Sequence, residues 1–245
     1  MTTLFVSDIH ISDDYPEICK LFFDFIKKID TNVNALYILG DLFEYWLGDD
    51  DPNPIFKQTQ DALKDLSKID VSVFFMHGNR DFLVGDEFAK KSHIKILSDP
   101  SVIELYGERI LISHGDIYCI DDEEYQLFRK QTRDPQWQKM ILGKPLEYRR
   151  NFAKMAREKS IEHTQLDNEY IMDVNEDEVK KNFLEIPMNT IQTKCAYDKK
   201  PLLRYMNLAF KSNITYNGLE KFIRDNDLLI TISHPYEFFD KFENN

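Results

Sequence analysis

"TLFVSDIH", residues 3–10, carries an apolar run straight into an aspartate and a histidine. That order recurs three times. "ALYILGD" (35–41) ends in Asp41, "VFFMHGNRD" (73–81) carries Asn79 and Arg80 behind its apolar run, and "LISHGD" (111–116) reaches His114 after Leu111 and Ile112. Short apolar runs bounded by glycine and polar residues read as buried strands, expected at 2–7, 35–39, 71–76, 101–105 and 109–113. Between them the apolar spacing turns helical. "PEICKLFFDFIKKI" (16–29) sets Ile18, Leu21, Phe22, Phe25 and Ile26 on one face with Pro16 near its start. "IFKQTQDALKDLSKI" (55–69) and "GDEFAKKSHI" (85–94) give two further helices. Alternating strands and helices predict an α/β fold with a largely parallel sheet. Ligands of such sheets gather beyond the carboxyl ends of the strands, so the four polar clusters predict one site.

Composition narrows what that site can serve. At 245 residues, 42% hydrophobic and 30% charged, the chain suits a single globular domain with an elaboration. A net charge of -12 argues against a general nucleic-acid binder. Cys19, Cys119 and Cys195 are scattered, without metal-site spacing, which predicts a reducing, cytoplasmic compartment. The immediate strand-like start predicts no signal peptide, and no apolar run is long enough to span a membrane.

From about Asp122 to Asn182 strand-like runs disappear and the chain reads as a helical cap. Ten Lys and Arg between Arg129 and Lys159 face only Asp134, Glu147 and Glu158, a local charge of about +7. Tyr125, Phe128, Trp137, Tyr148 and Phe152 are interleaved. A solvated hairpin is one reading. The sign reversal favours a cap that faces something anionic and partly apolar.

Carboxylate, amide oxygen and imidazole suit hard divalent ions such as Mn²⁺ and Mg²⁺. Asp8, His10, Asp41, Asn79 and His114 supply those types, each just beyond an apolar run. One aspartate after a strand is commonly a turn or helix cap, and one histidine commonly a satisfied core residue. Four such blocks in order point to a paired-metal hydrolase, in which a carboxylate bridges two ions. His77, His93 and His163 follow the pattern less cleanly and are expected to be structural.

The blocks "SDIH", "GDLFEYW", "GNRDF" and "SHGD" resemble, in order, those of the calcineurin-like metallophosphoesterases. "ALYILGDLFEYWLGDDDPNP", "HGNRDFLVG", "HGDIYCIDDEEYQLFR" and "IMDVNEDEV" are similar to the UDP-2,3-diacylglucosamine pyrophosphatases of lipid A synthesis within that superfamily, over about residues 2–185. This resemblance implies an αββα four-layer sandwich with a helical cap at about 122–182. It implies two Mn²⁺ per chain, or Mg²⁺ in their place. The implied reaction is hydrolysis of a lipid-linked nucleotide sugar at its pyrophosphate by a metal-activated water, in a cytoplasmic protein held peripherally on the inner membrane. By motif position, Asp8 and His10 would bind the first ion, Asp41 would bridge, and Asn79 and His114 would bind the second. Arg80 would stabilise charge on phosphorus. Asn79 and Arg80 would also hold substrate, with Asp122, Tyr125, Arg157 and Ser160, while Trp46 and Phe128 would line an acyl channel.

The resemblance also marks departures. The family closes its metal site with "GHTH", where this chain has "NTIQTKCAYDKKPLLRY" (189–205). Ile161 and Asp167 stand where the family often carries lysines. The segment from about 186 to 245 follows its own pattern, with a helix, a strand at 228–232 and then His234, a candidate replacement ligand. Two alternatives stay open: a phosphoesterase of different substrate, and a lipid- or nucleotide-binding remnant whose metal centre the tail has impaired.

Overall fold

A computed structural model describes residues 2–106, 108–166, 174–175, 177–179, 181 and 228–230. Its centre is a five-stranded parallel sheet of β1 (Thr2–Val6), β2 (Val33–Leu39), β3 (Ser72–Met76), β4 (Ile94–Leu97) and β7 (Leu228–Ile230). The strand order is β4-β3-β2-β1-β7. A hairpin of β5 (Ser101–Leu105) and β6 (Glu108–Ile112) forms a second, antiparallel sheet.

Side chains alternate across a strand, so a strand covered on both faces is apolar throughout. Leu4 and Val6, Leu36 and Ile38, and Val73 and Phe75 point to one core, shared with Cys19, Phe22 and Ile26 of helix α1 (Pro16–Lys28), Phe56 and Leu63 of α2 (Pro54–Leu66) and Phe88 of α3 (Asp86–Ser92). Phe5, Ala35, Tyr37 and Met76 point the other way, against Ile103, Ile110 and Ile112 of the hairpin. The described residues therefore supply three layers: helices, parallel sheet, hairpin. The fourth layer expected of an αββα sandwich is a reading that falls outside the described residues, as does His234.

The structure differs from the sequence reading at three points. Helix α1 buries Cys19 and Phe23 beside Ile18, Phe22 and Ile26, leaving Leu21 and Phe25 only partly covered. The face is turned because two adjacent phenylalanines compete for one stripe. Strand β4 was not expected, since four residues with a lysine between isoleucines give little signal. The strand before His114 belongs to the hairpin, not to the parallel sheet. The expected tail strand at 228–232 is described only at Leu228–Ile230, along β1.

The cap comprises α4 (Glu123–Thr132), α5 (Pro135–Leu142) and α6 (Leu146–Leu166). Asp122 caps α4 by accepting from Tyr125 N, and Asp134 caps α5 by accepting from Gln136 N and Trp137 N. Trp137 bridges Phe82 of the body and Phe152 of α6.

Much of the cap's positive charge is answered by the body. Arg129 pairs with Asp99 and Asp116, Arg149 with Asp50, and Arg157 with Glu44. "GDDDPNP" is the body's side of that docking. Asp49 accepts from Trp46 Nε1, Gly85 N and Phe88 N, and so holds the start of α3. Asp50 takes Arg149 with both oxygens, at 2.6 and 2.5 Å. Asp51 accepts from Asn53 N, and Asn53 caps α2. Arg149 is itself buried, which makes it a structural clamp rather than a contact for an outside anion.

Candidate metal centre and cleft

The loops that leave β1, β2 and β3 at their carboxyl ends converge with the loop after β6. Asp8, His10 and Asp41 all sit in the left-handed region, at φ 54, 56 and 53. Non-glycine residues seldom adopt it, and clustered strain of this kind marks functional loops. The loops also meet at very short range. A Cβ on Gly78 would lie 2.0 Å from Asp41 Oδ1, and one on Gly40 would lie 2.5 Å from His114 Nδ1, so only glycine fits at either place.

Ligand atoms of Asp8, His10 and Asp41 lie within 4.8 Å of one another. Nε2 of His10 is 4.0 Å from Asp8 Oδ1, and Nε2 of His114 is 3.9 Å from Asp41 Oδ1. His114 Nδ1 donates to Leu39 O at 2.9 Å, which leaves Nε2 facing inward. His10 Nδ1 lies 3.0 Å from Glu44 Oε2, close but off-line for a hydrogen bond, and its Nε2 also faces inward. The Asn79 side-chain amide lies against the Asp41 carboxylate and donates to its two oxygens, at 3.1 and 2.6 Å. Carboxylate, amide and imidazole groups thus lie within contact range of one another.

Burial pushes the Asp41 carboxyl well above the usual range, although His114 opposes it. Burial alone would lower His114, but Asp41, Asp116 and Asp8 raise it to about 9. The centre is a carboxylate-rich pocket that takes up protons because it has excess negative charge to neutralise. A divalent cation would neutralise the same charge, so the residues fit a metal.

A pH dependence follows. The raised His114 pKa stabilises the metal-free fold fully below pH 6.5, and that contribution is lost as pH rises through about 9. A metal must displace this proton, so binding releases protons and strengthens with pH. The rise in melting temperature on adding Mn²⁺ or Mg²⁺ should therefore grow from pH 6 to pH 8.5. Equal rises at both ends of that range would remove His114 from the ligand set.

Around the centre stand carboxylates the sequence reading did not single out. Asp81, fully buried, accepts from the backbone of Gly78, Asp41, Leu42 and Phe43 and so ties the Asn79 loop to the Asp41 loop. Asp99 accepts from His114 N and Ser113 Oγ. Asp116 receives Tyr125 OH at 2.5 Å and pairs with Arg129 and Arg133. Asp81 was visible in "GNRDF", but its partners are backbone groups of a distant loop, which leave no spacing to read.

Above the centre, between body and cap, lies a cleft of about 1070 Å³. All eight residues expected to touch substrate, Trp46, Asn79, Arg80, Asp122, Tyr125, Phe128, Arg157 and Ser160, line it. Several of their polar groups already have protein partners. Trp46 donates to Asp49, Tyr125 to Asp116, and the Asp122 carboxylate caps α4. Trp46 is also packed among Phe43, Phe56 and Phe88. His77 donates to Val84 O and His93 contacts Ser67 Oγ, both structural; the His163 side chain lies outside the described residues.

The family model for calcineurin-like phosphoesterase matches residues 1–187. A protein of Stenotrophomonas maltophilia, "UDP-2,3-diacylglucosamine hydrolase", is 51% identical over 160 residues, 65% of this chain and 64% of that protein. One of Yersinia pseudotuberculosis with the same name is 47% identical over 184 residues, 75% of this chain and 77% of that protein. The match thus spans just under two thirds of the first relative's length.

Proposed function

We propose that this chain, which belongs to the calcineurin-like phosphoesterase family, hydrolyses UDP-2,3-diacylglucosamine at its pyrophosphate to 2,3-diacylglucosamine 1-phosphate and UMP. One observation carries this reading. Asn79 and Arg80, which contact Asp41 of the Asp8–His10–Asp41 cluster, line a cleft of about 1070 Å³ whose walls carry basic side chains, Arg150 and Arg157, and aromatic ones, Phe82, Phe128 and Phe152. A lipid-linked nucleotide needs both characters, and the relatives' names agree. Asp8 and His10 would hold one Mn²⁺ and Asn79 and His114 a second, with Asp41 in reach of both pairs. Such ions lower the pKa of an attacking water and offset charge on phosphoryl oxygens.

The chain's own groups do the rest. Asp81 and the close glycines fix the loops, so the ligands need little rearrangement. Arg80, whose backbone N donates to Asp41 at 2.9 Å, sets a guanidinium beside the reacting phosphorus. Phe128 offers a ring face to acyl chains, and Trp46, packed among Phe43, Phe56 and Phe88, backs the wall of the cleft. The test is hydrolysis of UDP-2,3-diacylglucosamine with Mn²⁺, against a panel of phosphomonoesters and soluble nucleotides. Cleavage of soluble substrates alone would favour the different-substrate alternative, and no cleavage together with no Mn²⁺ bound would favour the remnant.

The cap is the proposed membrane-facing side. Among the described helices none is long and apolar enough to cross a membrane. Leu127, Met140, Tyr148 and Met155 are exposed on the cap, near Lys130, Lys139 and Lys144. These lysines do not line the cleft, unlike Arg150 and Arg157. Changing all three to Gln should weaken binding to anionic vesicles by roughly 3 kcal/mol at low salt, about 1 kcal/mol per charge, and leave substrate affinity in detergent unchanged. Vesicle binding that ignores both the substitutions and salt would place the membrane contact elsewhere.

A further inference from the structure

The cleft holds a carboxylate outside the ligand set. Glu44 is largely buried, with Oε1 2.9 Å from Arg157 Nε on α6 and 3.5 Å from Arg80 Nη1. Its Oε2 lies 3.0 Å from His10 Nδ1. One oxygen therefore faces two guanidiniums, and positive charge exceeds negative at that point. The Arg80 contact is long for a charge-assisted bond, which runs about 2.7–2.9 Å, so Arg80 keeps capacity for a second anion. Glu44, Arg80 and Arg157 all line the cleft beside Asn79.

We propose that Glu44 is an internal stand-in for a phosphoryl group. It holds Arg80 of the body and Arg157 of the cap in place while the cleft is empty, and it competes with the bound phosphoryl for both. The inference rests on the reading that the cleft takes a phosphorylated ligand. Two arginines without a shared anion repel each other, and Arg157, 40% exposed, would turn to solvent. Buried beside His10, Glu44 fixes them in advance, so a phosphoryl group meets donors already in position. The same competition weakens the hold on a phosphate product and favours its release. Glu44 is a positioning residue: it reaches the phosphoryl through the arginines.

Glu44→Gln keeps the shape and an acceptor oxygen but removes the charge. Binding of inorganic phosphate to the full chain, with and without Mn²⁺, is measured by calorimetry. Phosphate should bind roughly tenfold tighter to Glu44→Gln, while turnover at saturating Mn²⁺ falls about tenfold. Adding Arg157→Gln should cancel the gain in phosphate affinity. A role in the fold alone would lower stability or metal content and could not tighten anion binding. Unchanged or weaker phosphate binding in folded Glu44→Gln overturns the proposal. Should that variant fail to fold, Arg157→Gln alone decides: a loss of phosphate affinity under about threefold supports a charge already shared with Glu44, and a loss of tenfold or more refutes it. Phosphate is not the substrate, so a chain that cleaves no UDP-2,3-diacylglucosamine fails the functional reading while this comparison still stands.

Discussion

Asp41→Ala should bind no Mn²⁺ at either position and show no turnover above background, yet melt within a few degrees of the metal-free parent. Its carboxylate is 3% exposed and meets the ligand set from both sides, Asp8 and His10 on one and His114 and Asn79 on the other. Losing an outer partner of a ligand typically costs about 10–100-fold in metal affinity, and losing the shared ligand should cost well beyond that. The fold is a separate matter. Asp41 is held buried against its preference for water, so removing it relieves a desolvation cost while taking away the counter-charge of His114 and the acceptor of Arg80 N. These effects oppose each other. Asp41→Asn keeps an acceptor for Arg80 N and separates them. Calorimetry that found two ions retained in Asp41→Ala would remove the bridging role.

The parallel sheet was legible because each central strand is covered on both faces and had to be apolar throughout. Leu36 and Ile38 face the helices while Ala35 and Tyr37 face the hairpin, and no polar residue interrupts the run. The metal candidates were legible because they stand directly behind those runs. What escaped was everything held by contacts between distant loops. Glu44 lies three residues past Asp41 but acquires meaning only through Arg157, more than a hundred residues on. The charge of the cap was counted correctly and partly misdirected. Arg129, Arg149 and Arg157 point at Asp99, Asp50 and Glu44, so part of the anion expected outside is the protein's own body. A sum of charges along a segment has a sign but no direction, and only packing supplies the direction.

Arg80→Ala should leave Mn²⁺ content and pH-dependent stabilisation unchanged and cut turnover by roughly a hundredfold or more, the scale of losing one preorganised charge-stabilising donor. Its backbone and side chain act separately. Arg80 N secures the Asp41 carboxylate, which the substitution preserves, while the guanidinium reaches toward Glu44 and the cleft. Loss of metal in Arg80→Ala would mean that the side chain, too, supports the centre. Turnover must first be present in the parent, and there the segment beyond 186 matters, because it lacks the "GHTH" block that the family places after the cap. If the parent hydrolyses at background level, Arg80→Ala will change nothing, and a graft of a family segment carrying "GHTH" in place of residues 186–245 becomes the deciding protein. Mn²⁺-dependent hydrolysis recovered in the graft and lost again on Arg80→Ala would assign the two missing histidines and Arg80 to one centre. A graft that folds and binds two ions, yet leaves UDP-2,3-diacylglucosamine intact, would defeat the substrate assignment while leaving the metal centre standing.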